Sequence, residues 1–121
     1  MITVWIALAG GAGAGVRYVI DSLVTARWRH DFPLGTLLIN VSGSLLLGVL
    51  TGLVIAHDAS SSWTKVAGTG FCGGYTTFSA ATVESIALAY RGRLLASYLN
   101  TVGSVGLTIF AAAVGLWLTG A

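Results

Sequence analysis

Apolar residues run along this chain in four long stretches separated by short polar interruptions. With about 20 apolar residues needed for one crossing of a bilayer, the pattern predicts membrane spans at about residues 2–24, 34–56, 63–90 and 94–118. The first interruption holds Arg27, Trp28, Arg29, His30, Asp31 and Pro33. The second holds His57, Asp58 and a serine run, and the third Arg91, Gly92 and Arg93. An all-α integral membrane protein follows, with residues 1–121 as one transmembrane domain of four helices. The first span lacks the basic stretch that opens a secretory signal, so it is expected to be retained. Four helices of this length enclose little space, which places the expected working site at an interface between subunits.

The third stretch departs from the pattern of the others. Gly70 to Ser79 reads GFCGGYTTFS, with three glycines and a Thr-Thr pair where a continuous helix would be expected. At membrane depth a broken helix exposes peptide groups that must find partners in protein, water or an ion. The segment is therefore expected to break the third helix in mid-membrane and to be the functional centre.

Composition narrows the class further. Hydrophobic residues make up 55% of the chain and charged ones 8%, with mean hydropathy +0.87, against roughly 25% charged in a soluble domain. The net charge of +2 is the excess of six basic residues over four acidic ones, and the basic residues are scattered over helix ends where they anchor spans in the interface, so nucleic acid is not an expected partner. Cys72 has no Cys or His neighbour at metal-ligand spacing and reads as a small buried residue. His30 and His57 read as interfacial. The four carboxylates, Asp21, Asp31, Asp58 and Glu84, are dispersed over separate elements. No set of acids is placed to hold Mg²⁺ for phosphoryl transfer, and an enzyme is not expected.

Small and polar residues inside the spans carry the remaining signal. Gly11 and Gly15, and likewise Gly48 and Gly52, stand four apart and predict flat strips for close helix packing. Asn40 lies inside the second span, followed by Ser42 and Ser44. Asn100, Ser104 and Thr108 follow at i, i+4, i+8, one stripe along a helix face. Such a stripe reads either as interhelical hydrogen bonding or as an ion path, and Asn40 with the broken third span favours the path. Arg17 and Asp21, one turn apart, read as a snorkelling interfacial pair or as a charge that gathers anions at a vestibule. Glu84 is the one acid well inside a span.

GGAGAGVRY in the first span, GTLLINVSG in the second, GFCGGYTTFS in the third and NTVGS in the fourth together resemble the CrcB/Fluc fluoride channels, in the same order and over nearly the whole chain. The resemblance implies four helices per subunit, the third broken, in an antiparallel dimer with two narrow pores between subunits. It also implies passive, fluoride-selective export that lowers cytoplasmic fluoride. Asn40, Phe78, Ser79, Asn100, Ser104 and Thr108 would line the pore, and Arg17 the vestibule. The backbone carbonyls of Gly73 and Thr76 would hold a structural Na⁺ at the dimer centre.

The residue types suit that chemistry. Fluoride is small and tightly hydrated, so its path must supply hydrogen-bond donors such as the Asn40 and Asn100 amides and the Ser104 and Thr108 hydroxyls. An aromatic ring edge is electropositive, which suits Phe78. The family's motif commonly continues TTFSTF, and here Ala81 stands where the second Phe would be. Two alternatives accompany this reading: a poorly conducting partner subunit of a heterodimeric channel, and a transporter like the small multidrug resistance proteins. The latter use a glutamate in the middle of the first helix, which this chain lacks. The first and third loops carry Arg27, Arg29, Arg91 and Arg93, while the other side has Lys65 alone. Basic short loops stay in the cytoplasm, so both termini are expected to face outward from the cell membrane.

Overall fold

The computed structural model describes residues 1–28, 32–58 and 61–120, Ser61 by its backbone alone. Arg29, His30 and Asp31 of the first interruption and Ser60 of the second lie outside the described residues. Three long helices frame the molecule: α1 (Ile2–Arg27), α2 (Leu34–His57) and α6 (Leu94–Leu118). Between α2 and α6 lie α3 (Ser61–Lys65), a π-helical segment (Val66–Cys72), α4 (Gly73–Tyr75) and α5 (Phe78–Tyr90). No strand occurs among the described residues. The three long helices are each long and apolar enough to cross a membrane.

The helix ends follow from local chemistry. The apolar pattern stops at Val24, yet α1 continues to Arg27, and the Trp28 N–H still closes on the Val24 carbonyl at 2.8 Å. Polarity ends the apolar run without ending the hydrogen-bond ladder, because a long basic side chain can reach the interface from a helical backbone. Trp28 Nε1 then donates to the Phe32 carbonyl at 2.9 Å, closing the corner just before Pro33, which precedes α2. At the other tight corner Gly92 has φ 76°, a left-handed value that glycine adopts without the Cβ penalty.

Backbone meets backbone where glycines leave room. Along α2 and α6, a methyl added at Gly48 would strike Ala112, one at Gly52 would strike Thr119, and one at Gly115 would strike the backbone of α2. The Gly48–Gly52 strip thus packs as its spacing predicts. On α1 the contact is made elsewhere: a methyl at Gly13 would meet the Phe71 carbonyl, and one at Gly74 would meet Gly10, whereas Gly11 and Gly15 face open space. Ile6, Gly10 and Gly13 follow steps of four and three along one face, and that face carries the π-helical segment. Gly11 and Gly15 belong to neighbouring faces. Within the chain, helix rotation thus gives the α1 contact to Gly10 and Gly13 and not to Gly11 and Gly15.

Few side chains are deeply buried, and Ile39, Leu88 and Asn100 are the largest of them. Much of the outer surface is aromatic or aliphatic, including Trp5, Leu8, Leu95, Ile109 and Trp117. A soluble monomer rarely leaves so continuous an apolar surface in water.

Candidate functional site

The helical path stops at Tyr75. Thr76 (φ −82°, ψ 158°) and Thr77 (φ −151°, ψ 116°) are extended, and α5 starts at Phe78. Three side chains stabilise this interruption. Thr76 Oγ1 donates to the Cys72 carbonyl at 2.8 Å, beside the Thr76 N–H at 2.9 Å. Thr77 Oγ1 accepts the Ala80 N–H at 3.2 Å, capping α5 as a threonine at an N-terminus does. Asn40, reaching from α2, receives the Thr77 N–H on Oδ1 at 2.8 Å and donates from Nδ2 to the Thr77 carbonyl at 3.0 Å.

These bonds release two carbonyls. In an uninterrupted α-helix the Thr77 N–H would close on Gly73 and the Ala80 N–H on Thr76; here both donors are taken by side chains. Gly73 and Thr76 are the residues whose carbonyls the family resemblance would assign to a Na⁺ ion. An oxygen freed at a helix interruption carries the partial negative charge such an ion needs, so the donor set fits a hard monovalent cation.

Beside the interruption lies an open groove of about 750 Å³ between α2, the π-helical segment, α5 and α6. Asn40, Gly73, Thr76, Phe78, Asn100, Ser104 and Thr108 all border it. Ser79 does not; it is exposed, with its hydroxyl 3.3 Å from Thr77 Oγ1. Arg17 stands on α1, which does not border the groove. Phe78 is 84% exposed, and Ala81 continues the same wall one turn on. Among the described residues, none bordering the groove carries a charge. Glu84 is turned to α2, where its Oε1 accepts from Thr36 at 2.6 Å.

The donors expected along the stripe are in different states. Asn100, 2% exposed, directs its amide N–H groups to Ser85 Oγ at 2.7 Å and the Ala81 carbonyl at 3.3 Å. Thr108 bonds back to the Ser104 carbonyl at 2.7 Å, a common habit of Thr in helices. Ser104 Oγ is different: among the described residues it is the buried side-chain oxygen without a hydrogen-bond partner. A buried hydroxyl in that state still has its donor to give.

Sequence reasoning passed over a second group of hydroxyls. Ser97 Oγ donates to the Ser85 carbonyl at 2.7 Å, and Thr101 Oγ1 lies 3.0 Å from Ser85 Oγ. Ser97, Thr101, Ser104 and Thr108 follow steps of four, three and four, so their shared helix face was present in the spacing. Tyr75 was also missed; its hydroxyl sits 2.8 Å from Ser42 Oγ, and its ring stacks on Phe71 at 5.7 Å.

Fold and groove define a multi-pass, all-helical membrane protein with an uncharged, partly polar groove beside a helix interruption. The sequence matches the family described as CrcB-like protein, Camphor Resistance (CrcB), over residues 4–116, and the chain belongs to that family. It is 44% identical over 120 residues to the Fluoride-specific ion channel FluC 1 of Leifsonia xyli subsp. xyli, covering 99% of this chain and 88% of that protein. The Fluoride-specific ion channel FluC 2 of Cutibacterium acnes is 44% identical over 119 residues, 98% of this chain and 97% of its own. The Fluoride-specific ion channel FluC of Pyrococcus abyssi is 42% identical over 108 residues, 88% of this chain and 86% of its own.

Proposed function

We propose that this chain is a subunit of a fluoride-selective channel through which fluoride leaves the cell passively. The observation that carries the reading is the uncharged groove in which the exposed Phe78 ring stands on the same face as the buried, unpartnered Ser104 hydroxyl. A small anion needs donors in place of its water and no carboxylate along its route, and a ring edge attracts it without trapping it. The names of the similar proteins support the same ion.

In this reading the segment 61–90 is a fourth crossing, broken at Thr76 and Thr77. The groove is half of a pathway, closed by a second subunit packed antiparallel to the first. Asn40, Phe78, Ser104 and Thr108 border the route, Asn100 and Ser79 support it, and Arg17 concentrates anions at its mouth. A Na⁺ ion at the dimer centre is held by the Gly73 and Thr76 carbonyls and supplies positive charge there. It is structural and is not transported.

Ala81 favours one refinement. With a methyl where the family's motif has a second ring, this wall offers a single aromatic edge. The basic residues Arg27, Arg29, Arg91 and Arg93 against Lys65 favour one insertion direction, with both termini outward. A chain that inserts one way needs an oppositely inserted partner for an antiparallel pair, so the working form is a heterodimer with a related chain, this subunit conducting poorly alone.

Efflux from liposomes, followed with a fluoride electrode, tests both levels. Fluoride release without chloride release is expected from the chain reconstituted with its paralogue. Release of neither ion under any pairing removes the channel reading. Full fluoride flux from this chain alone removes the heterodimer.

A further inference from the structure

At the helix interruption one side chain meets one peptide. Asn40 Oδ1 accepts the Thr77 N–H at 2.8 Å while its Nδ2 donates to the Thr77 carbonyl at 3.0 Å. A primary amide presents an acceptor and a donor side by side, the same pair that an adjacent β-strand offers to an extended residue. An ionised carboxylate has two acceptors and no donor, and an aliphatic side chain has neither. At neutral pH the short amide is the side chain that carries its donor and its acceptor on two separate atoms, one for each group of Thr77.

Resting on the pathway and cation reading above, we propose that Asn40 is a positioning residue. Its amide holds Thr77 out of the helical ladder and thereby sets both the Phe78 ring and the open carbonyl of Gly73. Three links carry this. Continuation of the helix would send the Thr77 N–H to the Gly73 carbonyl, and Asn40 occupies that donor. Thr77 is also the N-cap of α5 through its bond with Ala80, so the residue held by Asn40 is the one from which α5 departs. Phe78 follows directly, and the orientation of the peptide joining the two decides where its ring projects.

The neighbouring turn of α2 secures the other side of the break. Ser42 bonds the Tyr75 hydroxyl at 2.8 Å, and a Cβ at Gly43 would meet both the Tyr75 ring and Thr76. Residues 40, 42 and 43 of α2 thus grip residues 77, 75 and 76 in turn. Without the amide, two peptide groups at membrane depth lose their partners. The cheapest recovery is to close the Thr77 N–H on Gly73, which turns the ring and withdraws the carbonyl.

The test uses the whole protein carrying 4-fluorophenylalanine at position 78, read by ¹⁹F NMR together with hydrogen exchange at the Thr77 amide. In Asn40→Ala the resonance at 78 should shift or split, and Thr77 exchange should rise by at least about tenfold; Ser104→Ala should move neither. Asn40→Asp should be perturbed at neutral pH, where the carboxylate has no donor for the Thr77 carbonyl, and recover once acid protonates it. The protonated acid again has one donor and one acceptor for Thr77. Wild-type signals in a folded Asn40→Ala protein would overturn the proposal. So would an Asn40→Asp protein that stays perturbed at an acid pH where the wild type keeps its spectrum. Failure of the channel reading would show separately, as absent efflux from the wild type, and would leave both of these signals unchanged.

Discussion

Thr36 Oγ1 donates to Glu84 Oε1 at 2.6 Å, across the contact between α2 and α5. Glu84 therefore faces a helix neighbour, and it does not border the groove. Thr36→Val should remove the donor and leave the carboxyl half-buried without it, lowering stability by about 1–3 kcal/mol. Adding Glu84→Leu to that variant should restore part of the loss, since two apolar partners of similar shape leave nothing unsatisfied. Thermal unfolding of the single and double variants in detergent measures the coupling. A double variant no more stable than Thr36→Val alone would show that the pair is not what holds these helices.

Phe78 and Ala81 share a wall of the groove, yet only Phe78 brings a ring. Phe78→Ile keeps apolar bulk and removes the electropositive edge. Fluoride flux should fall by about tenfold if the edge contributes roughly 1.4 kcal/mol at the barrier. Single-compartment efflux from liposomes, with protein density matched, reads this directly. Unchanged flux would take Phe78 out of the pathway.

Ser104 offers a sharper separation of function from fold. Its hydroxyl is buried and unpartnered in the chain, so Ser104→Ala deletes no internal hydrogen bond and should leave stability unchanged or slightly raised. The same change should lower fluoride flux by about tenfold, the loss expected when one donor to an anion is removed near the barrier. A fall in stability together with unaltered flux would mean that the hydroxyl serves packing.

Glycines at the α1 contact should divide by face. A methyl at Gly13 or Gly74 would collide with backbone across the interface, whereas one at Gly11 meets open space. Gly13→Ala and Gly74→Ala should each destabilise by about 1–3 kcal/mol. Gly11→Ala should leave the isolated chain unaffected. Fluorescence-detected gel filtration after heating distinguishes the two classes.

Orientation is open to a direct chemical readout. Single cysteines in the second and third loops, placed in a Cys72→Ser background, should label from outside and inside the cell respectively. Each loop labelling from both sides would show that the chain inserts in both directions and would restore a homodimer.

Amino-acid sequence by itself determines the class of this protein, because in hydrocarbon a long apolar run can satisfy its peptides only as a helix. It also marks the segment that is interrupted, although the glycines stay helical through Tyr75 and the chain leaves the helix at the Thr-Thr pair. The spacing of Gly48 and Gly52 announces the α2–α6 seam. What spacing cannot supply is the rotation of each helix about its axis. Only packing decided that α1 turns Gly10 and Gly13 inward and leaves Gly11 and Gly15 outside. The same rotation decides the partner of every polar side chain. Asn100 spends its amide on Ser85 and Ala81, Thr108 bonds its own helix, Ser104 keeps its hydroxyl free, and Asn40 grips the Thr77 peptide. A donor's identity is written in the residue, but whether it is still available depends on which acceptor stands within hydrogen-bond reach, and for Asn40 and Asn100 that acceptor comes from another element of the fold.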